Sequence, residues 1–212
     1  MTTLLIATRN RHKVQEIQAL LGDGFRCLTL DDFPGAPAID ETATTFAGNA
    51  TLKSEGLAKW LCDGGVAAGN LPAFVLADDS GLEVDALGGA PGVYSARFAA
   101  QLTGKSGNSP DSENNARLLR ELDSIPDDRR TARFRCVIAL TSTVPPKFTE
   151  IFQGACEGRI ERAPKGAGGF GYDPLFIPTR HHQSFAELGE VVKNGISHRA
   201  NAMAGVVRRF RK

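Results

Sequence analysis

Nowhere does this chain stay apolar for the ~18 residues that a membrane-spanning helix needs, so none is expected. Neither sign of charge prevails, since 25 Lys and Arg stand against 24 Asp and Glu for a net charge of +1. A chain so balanced has no global field that would draw it onto nucleic acid or a membrane surface. Any anion it binds must therefore meet a local cluster of cations. The four cysteines, Cys27, Cys62, Cys136 and Cys156, include no CxxC pair, which argues against a zinc site. Cys27, Cys62 and Cys136 have apolar neighbours and read as small buried hydrophobes. All four read as reduced thiols of a cytoplasmic protein. His181-His182 lacks a third ligand at regular spacing and reads as a surface turn. No basic region precedes the apolar start Leu4-Leu5-Ile6-Ala7, so that start reads as a first strand and not as a signal peptide. Internal repeats and low-complexity tails are absent too.

What is present is ordinary in bulk. The 212 residues are 42% hydrophobic and 23% charged, the composition of a globular protein with one large domain or two lobes. Thr3 to Ala7 reads as a strand. A helix follows, with Val14, Ile17, Leu20 and Leu21 as its apolar stripe and Gly22 and Gly24 at its end. Phe25 to Leu30 is a second strand, Asp31 to Thr45 a loop, and Phe46 to Leu61 a helix. Gly64 to Pro72 and Gln101 to Ser109 read as polar, Gly-containing connections, the second of them mobile. Phe74-Val75-Leu76 is a short buried strand. Ser109 and Pro110 read as the N-cap and first position of another helix, with Asp111 and Glu113 in its first turn. Ala132 to Leu140 alternates as a half-buried strand. Phe148 to Phe152 and Cys156 to Ile160 read as two further antiparallel strands, Leu175 to Ile177 as a short one. Ser197 to Phe210 closes the chain as a helix with Ala200, Met203, Val207 and Phe210 inward. Helix–strand units at the start and a strand-rich middle imply an α/β fold with a mixed sheet.

The most informative run is Ala77-Asp78-Asp79-Ser80-Gly81-Leu82, expected at the end of the Phe74 strand. Two adjacent carboxylates repel, and burial raises their pKa values unless a cation compensates. A hard divalent cation would serve, and so would a solvated turn that needs none. Four more clusters surround it in sequence. Thr8-Arg9-Asn10-Arg11-His12-Lys13 takes a strand into a helix N-terminus, where free N–H groups and the helix dipole favour a phosphate. It is not a Gly-x-x-x-x-Gly-Lys loop. Asn49 and Lys53 share a helix face four residues apart, with Glu41 in the loop before. Gly168-Gly169-Phe170-Gly171-Tyr172-Asp173-Pro174 lets backbone and ring approach a flat ligand. Lys193 and Ser197-His198-Arg199 gather hydrogen-bond donors near a helix start. Singly, these also fit a basic helix start, a solvated helix face, a Gly-rich hairpin and a basic cap.

Taken in order, the five clusters resemble the inosine triphosphate pyrophosphatase family, which hydrolyses non-standard purine nucleoside triphosphates. Leu87 to Arg97 resembles that family's pattern as well, and the likeness runs from Leu4 to Ala202. The two polar connections depart from it by being longer or more polar. The resemblance implies an α/β fold with a central mixed β-sheet flanked by helices. It implies an elongated, two-lobed single domain over residues 1–212, with the active-site cleft between the lobes. It also implies a homodimer and Mg²⁺ dependence; the reduced cysteines point to a cytoplasmic location, and the balanced charge to no nucleic-acid or membrane partner. By position, Thr8, Asn10, Lys13 and Lys53 would hold the triphosphate. Glu41, Asp78 and Asp79 would bind Mg²⁺, and Asp79 would also activate the attacking water. Phe170, Asp173, Lys193, His198 and Arg199 would form the purine pocket, with Ser80, Gly171 and Tyr172 also against substrate. Donors such as His198 and Arg199 would favour the 6-oxo group of hypoxanthine or xanthine over the 6-amino group of adenine. Two rivals are a related enzyme for modified pyrimidine nucleotides and a nucleotide-binding module without catalysis. His198-Arg199 opposes the first; Glu41, Asp78 and Asp79 oppose the second. An RNA-binding role rests only on Arg208-Arg209-Phe210-Arg211-Lys212, which reads as a solvated helix end.

Overall fold

The computed structural model describes residues 1–66, 71–104 and 107–211. Residues 67–70 and 105–106, inside the two expected polar connections, lie outside the described residues. The strands are β1 (Thr2–Ile6), β2 (Phe25–Thr29), β3 (Phe74–Val84), β4 (Thr131–Ser142), β5 (Thr149–Ile160) and β6 (Phe176–Pro178). The helices are α1 (Arg11–Leu21), α2 (Phe46–Trp60), the short α3 (Ala100–Thr103), α4 (Asp111–Glu121), α5 (Phe185–Ile196) and α6 (His198–Phe210). One six-stranded sheet runs in the order β2-β1-β3-β4-β5-β6. It is mixed: β1 is parallel to β2 and β3, and β6 is antiparallel to β5. The fold class is the expected α/β one.

The chain divides into two compact units. The first comprises Met1–Asp79, Cys136–Gly154 and Arg199–Lys212; the second comprises Ser80–Arg135 and Ala155–His198. In the first unit the sheet is covered on both faces. Leu4, Ile6 and Leu76 pack with Ile17 and Leu21 of α1 and with Ala202, Met203 and Val206 of α6. Leu5, Ala7, Val75 and Ala77 pack with Leu57 and Ala58 of α2. Alternate strand residues point to opposite faces, so the two sets never mix. The second unit has one core, joining Leu82 and Val84 of β3 to Phe134, Leu118, Tyr172, Phe176 and Phe185.

Several expectations need correction. The Asp78-Asp79-Ser80-Gly81 run is neither a strand end nor a turn, because β3 passes straight through it for 11 residues. Polar residues sit mid-strand here because cations from the helices on each face reach Asp78 and Asp79. β5 is likewise one strand of 12 residues where two were expected. β4 is half-buried only as far as Arg135; from Cys136 onward both faces are buried. The Asp111 helix starts one residue late: Pro110 is its N-cap, while the Ser109 hydroxyl accepts the Ala100 amide. On α6 the buried stripe is Ala202, Met203 and Val206, with Val207 and Phe210 packed beside it. Helix α5 was not expected at all. Ser184 and Glu187 form a capping box at its start, and Gly189 interrupts it at φ 76°.

Candidate functional site

Two polar clusters stand out, one in each unit. The first is built around β3. Asp78 shares the parity of Leu76, so it faces α1 and α6; Asp79 shares the parity of Ala77 and faces α2. The two carboxylates still repel, as expected, but the strand directs them to different partners. Lys13, from the first turn of α1, donates to Asp78 Oδ1 at 2.5 Å. Arg199 Nε donates to Asp78 Oδ2 at 2.9 Å, and the Cys136 thiol reaches the same oxygen at 3.1 Å. Burial would raise the Asp78 carboxyl, but Arg199 and Lys13 outweigh it and hold it well below the usual range.

Asp79 is the opposite case. Lys53 lies 3.7 Å from its Oδ1, 3.2 Å from Glu41 and 2.8 Å from the Asp78 carbonyl oxygen. Burial pushes the Asp79 carboxyl up; Lys53 and Lys13 pull against it, Glu41 and Asp78 with it. The buried Oδ2 of Asp79 has no hydrogen-bond partner among the described residues. An acceptor without a donor in a 6% exposed side chain costs about 1–3 kcal/mol, so the fold retains it at a loss.

Local structure explains how the remaining groups arrive there. Asn10 caps α1 by accepting the Lys13 amide, and the Thr8 hydroxyl accepts the Asn10 amide. Both side chains thus organise the turn that carries Lys13. The loop bearing Glu41 is docked on α2: Asn49 Oδ1 accepts the Ala43 amide at 2.9 Å. A Cβ on Gly48 would come 2.6 Å from the Ala43 Cβ, so only glycine permits that approach. Asn49 Nδ2 is also buried without a partner among the described residues.

The second cluster is built on the Gly168–Asp173 loop and α5. Lys193 donates to Asp173 Oδ2 at 2.5 Å, and both side chains are almost wholly buried. The same oxygen accepts the Phe170 amide at 2.9 Å. Gly169 has φ 72°, and a Cβ there would strike the Asp173 carboxylate. The Lys193 ammonium lies 4.6 Å from the Phe170 ring centroid and 5.8 Å from that of Phe185. His198 stacks on Phe134, with centroids 4.7 Å apart and planes 14° apart. The cluster therefore pairs one carboxylate with one ammonium among aromatic faces.

Not every expected site residue takes the expected place. Arg199 belongs to the first cluster: besides Asp78 it binds Glu16 of α1. Consecutive helix residues point about 100° apart, so His198 and Arg199 diverge. Tyr172 gives its hydroxyl to the Ser95 carbonyl at 2.9 Å and sits in the core. Ser80 is half-buried on β3 in the second unit. Cys136, expected as a plain hydrophobe, is an Asp78 partner. Glu16 was missed, although it lies three residues after Lys13 on one helix face.

Among the described residues, no three His, Cys, Asp or Glu side chains gather as a ready-made metal cluster. A divalent cation nevertheless fits Glu41 and Asp79, because Asp79 Oδ2 is open and the Lys53 ammonium already bridges the two carboxylates. Asp78 fits such a cation poorly, since both its oxygens are held.

Comparison with known proteins adds the following. The model of the Ham1 family matches residues 4–209. A dITP/XTP pyrophosphatase of Geobacillus kaustophilus is 46% identical over 96% of this chain and 91% of that protein. One from Geobacter sulfurreducens is 47% identical over 96% of this chain and 94% of its own length. The Staphylococcus aureus Ham1 protein superposes with a TM-score of 0.81 at 34% identity, covering 99% of this chain and 98% of that one. A HAM1 protein from Coxiella burnetii gives 0.81 at 37% identity, with the same coverage.

Proposed function

We propose, from the premise that this chain belongs to the Ham1 family, that it is a nucleoside-triphosphate pyrophosphohydrolase acting on non-standard purine nucleotides: dITP, XTP and ITP. Water adds to the α-phosphorus, the bond to the bridging oxygen breaks, and monophosphate and pyrophosphate result. The observation that carries this reading is the contrast within Asp78-Asp79. One carboxylate is locked between cations; the other is raised, buried and open at one oxygen. A carboxylate whose pKa is raised is a stronger base than an ordinary one. Asp79 is accordingly the residue that removes the proton of the attacking water.

Lys13, Lys53 and the N-terminus of α1, organised by Thr8 and Asn10, answer the charge of the triphosphate. Glu41 and Asp79 would hold Mg²⁺, which when bound neutralises charge on the leaving pyrophosphate. Asp78 acts as the organiser that fixes Lys13 and Arg199 in place. For the second cluster we assign recognition of the base. Phe170 offers a stacking face, and Lys193 and His198 supply donors for a 6-oxo group. Asp173 orients Lys193, and Gly171 shapes the loop. Arg199 leaves the base-reading set and joins the phosphate side. The family resemblance also supports a homodimer, and the reading of the four cysteines as reduced thiols supports a cytoplasmic location. Among the described residues, no helix is long and apolar enough to cross a membrane.

Pyrophosphate release across ATP, GTP, ITP, XTP and a pyrimidine series tests the proposal. ITP and XTP should exceed ATP by well over tenfold in kcat/KM, with activity lost in excess chelator. Equal rates on all triphosphates, or preference for a pyrimidine, would overturn it.

A further inference from the structure

Gly171, the residue after Phe170, is held by side chains at both its backbone polar groups. Its N–H donates to Asp111 Oδ2 at 2.6 Å. Its carbonyl oxygen accepts from Asn115 Nδ2 at 3.0 Å. Asp111 opens α4 and Asn115 follows one turn later, so the two share a helix face. On the other side of the ring, the Phe170 amide is fixed by Asp173. The main chain around Phe170 is thus pinned at three points, yet the ring is only half-buried. Gly171 itself has φ 63°, a left-handed conformation that needs external support to be the one favoured state.

Asn115 is a costly residue for this place. It is 8% exposed, and its Oδ1 has no partner among the described residues. An apolar side chain would avoid that loss, so the amide is explained by the bond that its Nδ2 makes to Gly171. The neighbouring Asn114 is fully used in a structural way, binding the backbone of Ala96, Ala99 and Ser109.

We infer that Asp111 and Asn115 are positioning residues that clamp the peptide at Gly171 and so present the Phe170 ring to the base. The inference rests on the base-recognition role proposed for Phe170. Loosening the clamp leaves the phosphate chemistry intact and weakens purine binding. It should also cost a purine more than a pyrimidine, because the larger ring system has more face to stack.

The test measures kcat and KM for ITP and UTP in Asp111→Ala, Asn115→Ala and Asp111→Asn, with Glu113→Ala as the control from the same helix turn. The two alanine variants should raise the KM for ITP about five- to tenfold, at the low end of the loss expected from removing the stack altogether. Their kcat should stay within about twofold, and the ITP-to-UTP ratio of kcat/KM should fall. Asp111→Asn keeps an acceptor and should restore wild-type values, as should Glu113→Ala. Asp111 is exposed, so its variant remains informative even if Asn115→Ala fails to fold. Variants that melt with the wild type and keep both KM and ratio would overturn the inference. So would a uniform fall in kcat that Glu113→Ala shares. A wild-type protein that releases no pyrophosphate from any triphosphate would instead sink the functional reading beneath it.

Discussion

Both clusters are centred on a buried aspartate–cation pair, yet they are built to different balances. Around Asp78 and Asp79, four carboxylates counting Glu16 and Glu41 meet Lys13, Lys53 and Arg199, and one carboxylate oxygen is left open among the described residues. Around Asp173, the Lys193 ammonium meets the carboxylate beside the rings of Phe170 and Phe185. A cluster of several charges of both signs with an open acceptor suits phosphate, metal and water. A neutral pair beside aromatic faces suits a flat, uncharged base. The difference teaches that burial alone does not mark function here; what marks it is how completely each buried charge is answered.

Breaking the pairs should expose the difference most strongly. Asp78→Ala leaves Lys13 and Arg199 without their shared partner, and loss of one member of a buried pair costs about 3–5 kcal/mol. Lys193→Met should cost a similar amount by leaving the buried Asp173 charge without its cation. The second cluster, being balanced, should recover much of that loss in Lys193→Met with Asp173→Asn, because replacing both partners of a pair is often near neutral. Denaturant titrations of the three variants check this. No recovery in the double variant would contradict the claim that the cost comes from the unmatched charge.

Next in size is the response to acid. The folded Asp78 carboxyl lies below its unfolded value of about 3.9, so its stabilisation is present above that pH and lost as pH falls through the folded value. Asp79 has the opposite sign: its folded value is raised, so its charged form lowers stability as pH rises through that value. In chelator, Asp79→Asn should therefore melt higher than the wild type at pH 7, and Asp78→Asn should flatten the fall in stability below about pH 4. A lower melting temperature for Asp79→Asn would contradict the claim that this carboxyl is held at a loss. The smallest effect is expected at Asn49, whose bond to the Ala43 amide docks the Glu41 loop. Asn49→Ala should cost about 1 kcal/mol and raise the Mg²⁺ concentration needed for half activity. An unchanged requirement would separate that loop from the metal.

Much of this was legible in the sequence. The helical stripes of α1 and α2, the strand β1 and the five polar clusters all reflect periodicity or turn chemistry that short windows reveal. What stayed hidden depended on long-range compensation. Asp78 and Asp79 read as a strand end or a turn because nothing nearby in sequence answers their charge; their partners come from α1, α2, β4 and α6. The same cause split β5 in two at Gln153 and Gly154, which are polar or small yet lie inside a continuous strand. Helix α5 was obscured by Gly189 and Gly195, although Ser184 and Glu187 carried a capping-box signal. His198 and Arg199 were paired because they are adjacent, whereas helix geometry separates them.

The central claim is a division of labour, and steady-state kinetics on two variants tests it most directly. Asp79→Asn should lower kcat on ITP by about 10²–10⁴-fold with KM within about threefold. Phe170→Ala should raise KM for ITP by roughly 5- to 150-fold, the equivalent of about 1–3 kcal/mol of stacking, with kcat within about threefold. If Asp79→Asn kept more than about a tenth of the wild-type rate, a loss under ~1.4 kcal/mol, or if Phe170→Ala lowered kcat and left KM unmoved, the account would be wrong.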